Sequence, residues 1–352
     1  MFKMRHTAFS LRFITFSLLL VFSVCVTSNA QGRGGAPDWT RDPYRKFDKK
    51  INIAAVGVGS SRQAAEKDAL GKLVAIFGQS IQVDEKISTS YQEAVKNGAI
   101  AGWLENTSVD NTISTSAGMD SLVGAEIGDT WDNGKDYYAA AVLNRIKAVM
   151  TYSDMIRANQ TMIDNLLNIP VAEKNTLNGF VRYQFAAMIA DVTASYRNII
   201  TYIGAPALAL GVKTGNDYRL EAQEIAKAIP VGVVVKNDKS GRIQGAFAKA
   251  LSSFGFRSGG NNSRYILEVD ITVSPVNLPS NPNKFARIEL SANLVDTSSK
   301  TVLVPFNFNS REGHNSLPEA ENRAYIAAER KIAAEYPALL NNYFLQLLPQ
   351  RR

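Results

Sequence analysis

The chain has one cysteine, Cys25, and two histidines, His6 and His314, in 352 residues. With so few soft ligands, a cysteine- or histidine-based zinc site, a disulfide framework and thiol catalysis have almost nothing to be built from. A histidine-based triad would rest on His314 alone, which is expected in a loop beside Gly313 and Asn315. Beyond the first thirty residues there is also no apolar run of about 18 residues, the length a membrane helix needs. The chain after that point is therefore expected to be soluble or attached to a membrane only peripherally. Neither sign of charge dominates: 39 basic residues face 32 acidic ones, for +7. Lys3, Arg5 and Arg12 account for three of these charges, and without them 36 face 32, for +4. Spread along the chain, that excess gives no ground for a nucleic-acid partner.

What is present begins with a leader. The three basic residues precede an apolar stretch, Phe13 to Phe22, and then Ser28-Asn29-Ala30 before Gln31. This is the pattern of a secretory signal peptide over residues 1–30, with the small residues at 28 and 30 suiting signal peptidase. Cleavage after Ala30 removes Cys25. The competing expectation is lipidation at Cys25, although Phe22-Ser23-Val24 lacks the small residue that such processing requires.

Residues 31–50 are Gly-, Pro- and charge-rich without a period and read as an extended arm carrying Trp39. A strand follows at Ile51–Val58, and Ser60-Ser61-Arg62-Gln63 reads as a capping box. The helix it opens should bury Leu70, Leu73, Val74 and Phe77 and stop at Gly78. Alternation then predicts strands at Ile81–Tyr91, Val109–Met119 and Val123–Trp131, forming an antiparallel sheet with one wet face. After a turn at Asn133-Gly134 comes Tyr137–Leu143, and residues 144–203 read as a helical hairpin. Residues 204–230 read as a linker with a short helix around Leu220 to Ile229. A second unit, 231–352, opens with strand Val231–Val235 and a helix over Gly241–Phe254. Strands at Tyr265–Val273, Phe285–Leu294 and Val302–Phe308 follow. Ser316-Leu317-Pro318-Glu319 reads as a second capping box before a last helix that runs to Leu347. The fold class expected is α+β: two β-α-β-β-β-α units with antiparallel-rich sheets, at 51–203 and 231–352, joined through the long hairpin.

No catalytic or cofactor constellation stands out. Gly57-Val58-Gly59 lies between a strand and a helix as a dinucleotide loop does, but Arg62 occupies the third glycine position, so the reading is a tight strand-to-helix turn. Arg62 sits where an anion would be gripped, against the plainer reading of a surface side chain. Asp129, Asp132, Asn133, Gly134 and Asp136 have the composition of a calcium loop, yet Trp131 interrupts the ligand spacing and a solvated hairpin turn is expected. Trp39, Trp103 and Trp131 are candidate interaction residues, each weighed against ordinary packing.

The run Pro37-Asp38-Trp39, then Ile53-Ala54-Ala55-Val56-Gly57-Val58-Gly59, Ser61-Arg62, Ala64-Ala65-Glu66, Ala69-Leu70 and Leu73 resembles the LPP-twenty family, the twenty-kilodalton lipoproteins of bacterial envelopes. It is also similar to the related first domain of flagellar assembly protein T. Trp131 and Tyr137-Tyr138-Ala139-Ala140-Ala141-Val142-Leu143-Asn144-Arg145 extend the resemblance, which covers about residues 39–145. It implies an exported protein of α+β fold, without known enzymatic activity, in the periplasm or at the outer membrane of a Gram-negative-type envelope. The expected role is a binding or assembly module whose partners are other envelope proteins, with no cofactor. Two rivals stand beside it: a carboxylate-dependent hydrolase of cell-wall polymer, and a ligand-binding protein with a pocket between its two units.

Overall fold

In the computed structural model, residues 35–78, 122–204, 213–238, 240–279 and 281–348 are described. The expected leader, Cys25, Trp103 and the strands at 81–91 and 109–119 lie outside the described residues. The fold is α+β. The elements are β1 (Asn52–Gly59), α1 (Arg62–Phe77), β2 (Ala125–Asp132), β3 (Tyr137–Asn144), α2 (Arg145–Leu167), α3 (Val171–Lys174), α4 (Leu177–Ile203) and α5 (Gly215–Lys227). Then follow β4 (Pro230–Lys236), α6 (Arg242–Ser252), β5 (Arg257–Gly259), β6 (Tyr265–Val276), β7 (Lys284–Asp296), β8 (Thr301–His314) and α7 (Leu317–Leu347).

The first sheet runs β1-β3-β2, antiparallel throughout. Helix α1 starts one residue later than the capping box implied, because Ser61 is the cap and its hydroxyl accepts from the Ala64 N–H at 3.2 Å. Its inward face is Ala65, Ala69, Leu73 and Phe77, while Leu70 is 36% exposed. Of the expected face, Leu73 and Phe77 are buried and Val74 packs half-buried against the core, while Leu70 is at the surface and Ala65 and Ala69 take the inward place. The reason lies in the strand: a Cβ on Gly57 would stand 2.1 Å from the Ala69 nitrogen and 2.3 Å from the Ala65 carbonyl oxygen. Bare backbone at Gly57 draws the helix in on its smallest residues, and their Cβ atoms take the place larger side chains would need.

The other face of this sheet is covered at its centre, while Val58 and Glu126 on the same face stay exposed. Ala54, Ala140 and Val142 on that parity are all buried, and so is Trp39. The segment expected as an extended arm folds into two single 3-10 turns, Asp38–Thr40 and Pro43–Arg45, and lies over the strands. Phe47 and Val142 together fill the space beside Gly128. The helical hairpin follows as expected. Asn144 caps α2 by accepting from Lys147 N–H, Thr176 caps α4 by accepting from Gly179 N–H, and Gly204 ends α4 in the left-handed region at φ 87°.

The second sheet runs β5-β4-β6-β7-β8. It is mixed: β4 pairs parallel with both β5 and β6, and β6, β7 and β8 form an antiparallel meander. The parallel pairing arises because α6 is a crossover, and such a connection returns the chain in the same direction. The three-residue β5 is too short to leave a period in the sequence. Strict alternation puts Leu267, Val269 and Ile271, Ala286 through Leu294 on even positions, and Val304 and Phe306 on the face that α6 and α7 cover. Strand β8 continues past Phe308 to His314, so His314 ends a strand rather than sitting in a loop, and its Nδ1 accepts from Ser316 N–H at 3.4 Å. Ser316 is the N-cap of α7, but its hydroxyl makes no capping bond, so the second capping box is not formed.

Candidate functional site

Helix α7 carries a stripe at every fourth position: Ala320, Ala324, Ala328, Ile332, Tyr336, Leu340 and Phe344, all buried. The stripe widens from methyl groups to rings along the helix. The methyl groups at its start allow close packing on the sheet, and the rings toward its end need more room. Pro337 lies inside this helix and has no N–H to donate to the carbonyl one turn back, loosening the ladder where the rings begin. Near this end Phe344 meets α4 and the turn after α6. Its ring lies 5.7 Å from Phe180, 5.4 Å from Phe254 and 6.2 Å from Phe256, with Phe180 and Phe256 themselves 4.9 Å apart.

These four rings meet at interplanar angles from 27° to 86°, and beside them remains a cavity of about 880 Å³. Phe180, Phe254, Phe344 and Met188 supply its apolar lining. Gln184 from α4, Gln223 from α5, and Asn341 and Asn342 from α7 supply carboxamides, and Ser252 and Ser253 add hydroxyls. Both hydroxyls donate back to helix carbonyls, of Lys249 and Ala250. None of the four carboxamides has a hydrogen-bond partner among the described residues. Among the described residues, the one charged residue of the lining is Lys227, whose Nζ lies 2.6 Å from the Glu224 carboxylate. The volume falls within the range usual for small-molecule sites.

Two shallower hollows carry the acids. One, of about 360 Å³, includes Glu221 and Glu224, already ion-paired with Lys213 and Lys227. The other, about 550 Å³, lies on the outer face of the second sheet with Asp270 and Glu289. A general-acid carboxylate needs a raised pKa. Asp68, Asp217 and Asp296 are instead held below the ordinary range. For Asp68 the causes are the hydrogen bond from Lys72 and then that from Val58 N–H. For Asp217 they are the hydrogen bonds from the Thr214 side chain and backbone. At Asp296 burial pushes upward, but bonds from Arg264 and Ser298 outweigh it. The tyrosines go the other way: Tyr343 is pushed up to about 12 by burial and by its neighbours Tyr265 and Asp296.

The residues singled out from sequence are not brought together. Trp39 packs on its own sheet, 5% exposed. Trp131 faces Tyr138 across β2 and β3, ring centroids 5.4 Å apart. Arg62 is a surface side chain whose Nε lies 2.8 Å from Glu66. Gly57 and Gly59 serve the approach of α1 to β1. In the Asp132–Asp136 turn, Asp132 accepts from Gly134 N–H at 3.1 Å and Asn133 from Asp136 N–H at 2.7 Å, so these side chains build the hairpin. No group of three or more metal-ligating residues occurs among the described residues. The sequence reading held open a pocket between the two units but named none of the residues of this groove, although Gln184 interrupting the apolar stripe of α4 was a signal.

No family model and no curated protein matches the sequence. Among solved structures, the chain is similar to the secreted protein HP1454 of Helicobacter pylori, with 14% identity and a TM-score of 0.40, covering 81% of this chain and 98% of that one. A minor lipoprotein of Acinetobacter baumannii matches at 10% identity and TM-score 0.25, covering 35% of this chain and 98% of that one. A putative lipoprotein of Caulobacter crescentus matches at 14% and 0.21, covering 34% and 87%. Likenesses this low say nothing about the groove, and the LPP-twenty family remains a resemblance of the first third of the chain.

Proposed function

We propose that this protein is an exported, non-enzymatic binding module of the cell envelope, and that the groove beside Phe180, Phe254 and Phe344 is where it engages its partner. The observation that carries this reading is the lining itself: among the described residues, a concave surface over Phe254 and Met188, backed by the buried rings of Phe180 and Phe344, with four unpartnered carboxamides and no carboxylate or histidine. Such a surface holds a ligand by apolar contact and orients it by neutral hydrogen bonds, and it contains no group to transfer a proton at neutral pH. The leader supports export and placement in the periplasm or at the outer membrane. The acids on the outer sheet face lie on an open surface, so the hydrolase reading gains nothing from them.

The test is photo-crosslinking in intact cells with a light-activated amino acid placed at Asn341 or, as the control, at Asn309 on the open sheet face. A discrete adduct formed from Asn341 and not from Asn309 is expected. No adduct at Asn341, or the same adducts from both positions, would remove the groove as the binding site.

A further inference from the structure

The charge pattern around the groove selects among ligands. Among the described residues the lining is rings, aliphatic side chains and carboxamides, and its one cation, Lys227, is ion-paired with Glu224. A ligand carrying a net charge would leave water for a surface whose described residues offer no unpaired counter-charge, and that desolvation would be poorly compensated. A purely apolar ligand would cover the carboxamides and strip them of water without replacing its hydrogen bonds. The ligand that satisfies both halves is apolar on one side and carries neutral donors and acceptors on the other.

We propose that the groove binds an uncharged amphipath, with an acyl chain or ring system lying over the half-buried Phe254, Met188 and Leu345, which back onto the buried rings of Phe180 and Phe344. Its hydroxyl- or amide-bearing head meets Gln184, Gln223, Asn341 and Asn342. This names the ligand class of the site put forward above and rests on that reading. Glycerol-type and amide-type heads share this chemistry, and the two are separated by which competitor acts at the lower concentration.

The purified full-length exported protein is titrated with N-phenyl-1-naphthylamine, a neutral dye that brightens in apolar surroundings. The dye is then displaced by dodecyl compounds below their micelle concentrations: monododecanoylglycerol, dodecanoyl ethanolamide, dodecanoate and dodecyltrimethylammonium. Saturable binding of one dye per chain is expected, with a neutral competitor acting at a concentration about tenfold or more below either charged one. Ala338 is exposed on α7 at the groove, so Ala338→Trp should plug it and weaken dye binding about tenfold with the circular dichroism spectrum unchanged. Asn309→Trp, on the far sheet face, should leave binding as it was. Asn341→Asp tests the charge argument directly: it should improve the cationic competitor and worsen the anionic one. Equal displacement by all four compounds, or indifference to Ala338→Trp, overturns the proposal. If crosslinks at Asn341 persist in that event, only the ligand class falls and the groove remains the binding site.

Discussion

The two sheets of this protein meet their helices in opposite ways. Around β1 and α1 the contact is backbone to backbone: glycine against alanine, with Ala139, Ala140 and Ala141 at the centre of β3 wholly buried. Around β8 and the end of α7 it is ring to ring, with Phe247, Phe306 and Tyr336 meeting at 5.0–5.9 Å, nearly perpendicular. Small residues set a short separation and leave no room between layers. Large rings need more room, and the groove lies among helices, lined by α4, α5, the end of α6 and α7. The first region is therefore intolerant of added volume.

The largest effect expected from this contrast is at Gly57. Gly57→Ala places a methyl group against backbone atoms of Ala65 and Ala69 that cannot swing away, and should cost about 3–5 kcal/mol in urea unfolding. Gly71→Ala, on the same helix with nothing within 4 Å, should instead stabilise by about 0.5–1 kcal/mol. A cost at Gly57 below about 1 kcal/mol would mean that the close approach is absent and the contrast between regions false.

An intermediate effect belongs to Asp296, buried at the β7–β8 turn and bonded to Arg264 at 3.0 Å and to Ser298 N–H at 2.9 Å. Asp296→Asn should cost about 1–2 kcal/mol, reduced by the half-exposure of Arg264. The folded carboxyl titrates below its ordinary 3.8, so its contribution is complete above that pH and is lost as pH falls through the folded value. The difference between wild type and variant should accordingly be constant near neutrality and shrink below about pH 3.8. A difference that instead grows on acidification would contradict the assignment.

The smallest effect is at Tyr336, whose hydroxyl is buried without a partner. Burial raises its pKa for want of any compensating bond. Tyr336→Phe removes an unsatisfied polar group and keeps the ring, so stability should be unchanged or rise by up to about 1 kcal/mol. A loss above that would reveal a hydrogen bond to this hydroxyl and a tighter second core than the rings imply.

Much of the second sheet was legible, because one of its faces is wet and the other dry. Tyr265–Val273 and Phe285–Leu294 alternate at period two and appear as β6 and β7 in register, Leu267 opposite Leu294 and Ile271 opposite Leu290. The helical hairpin was legible for the same reason, from the long stripe between Leu177 and Ile203. The face of α1 was not, since alanine weighs little in any hydrophobic pattern and Leu70 and Val74 outshout Ala65 and Ala69. The covering of the first sheet by Trp39 and Phe47 was not either, because an aperiodic segment gives no sign of what it lies on. Helix α5 began earlier than its apolar residues suggested, at a capping box formed by Thr214 and Asp217.

Local sequence by itself determined where strands alternate, where Asn144 and Thr176 start helices, and where Gly204 stops one, because these depend on neighbours within a few residues. It also determined that thiol and histidine chemistry have few residues to work with. Only the tertiary structure decided that Gly57 is a packing glycine, that Trp39 is an internal residue, and that β4 runs parallel to β6. It alone decided that Phe180, Phe254 and Phe344, separated by 74 and 90 residues along the chain, meet in one cluster. The physical reason is that a cavity is a property of how side chains from several distant segments meet, and no single segment carries it.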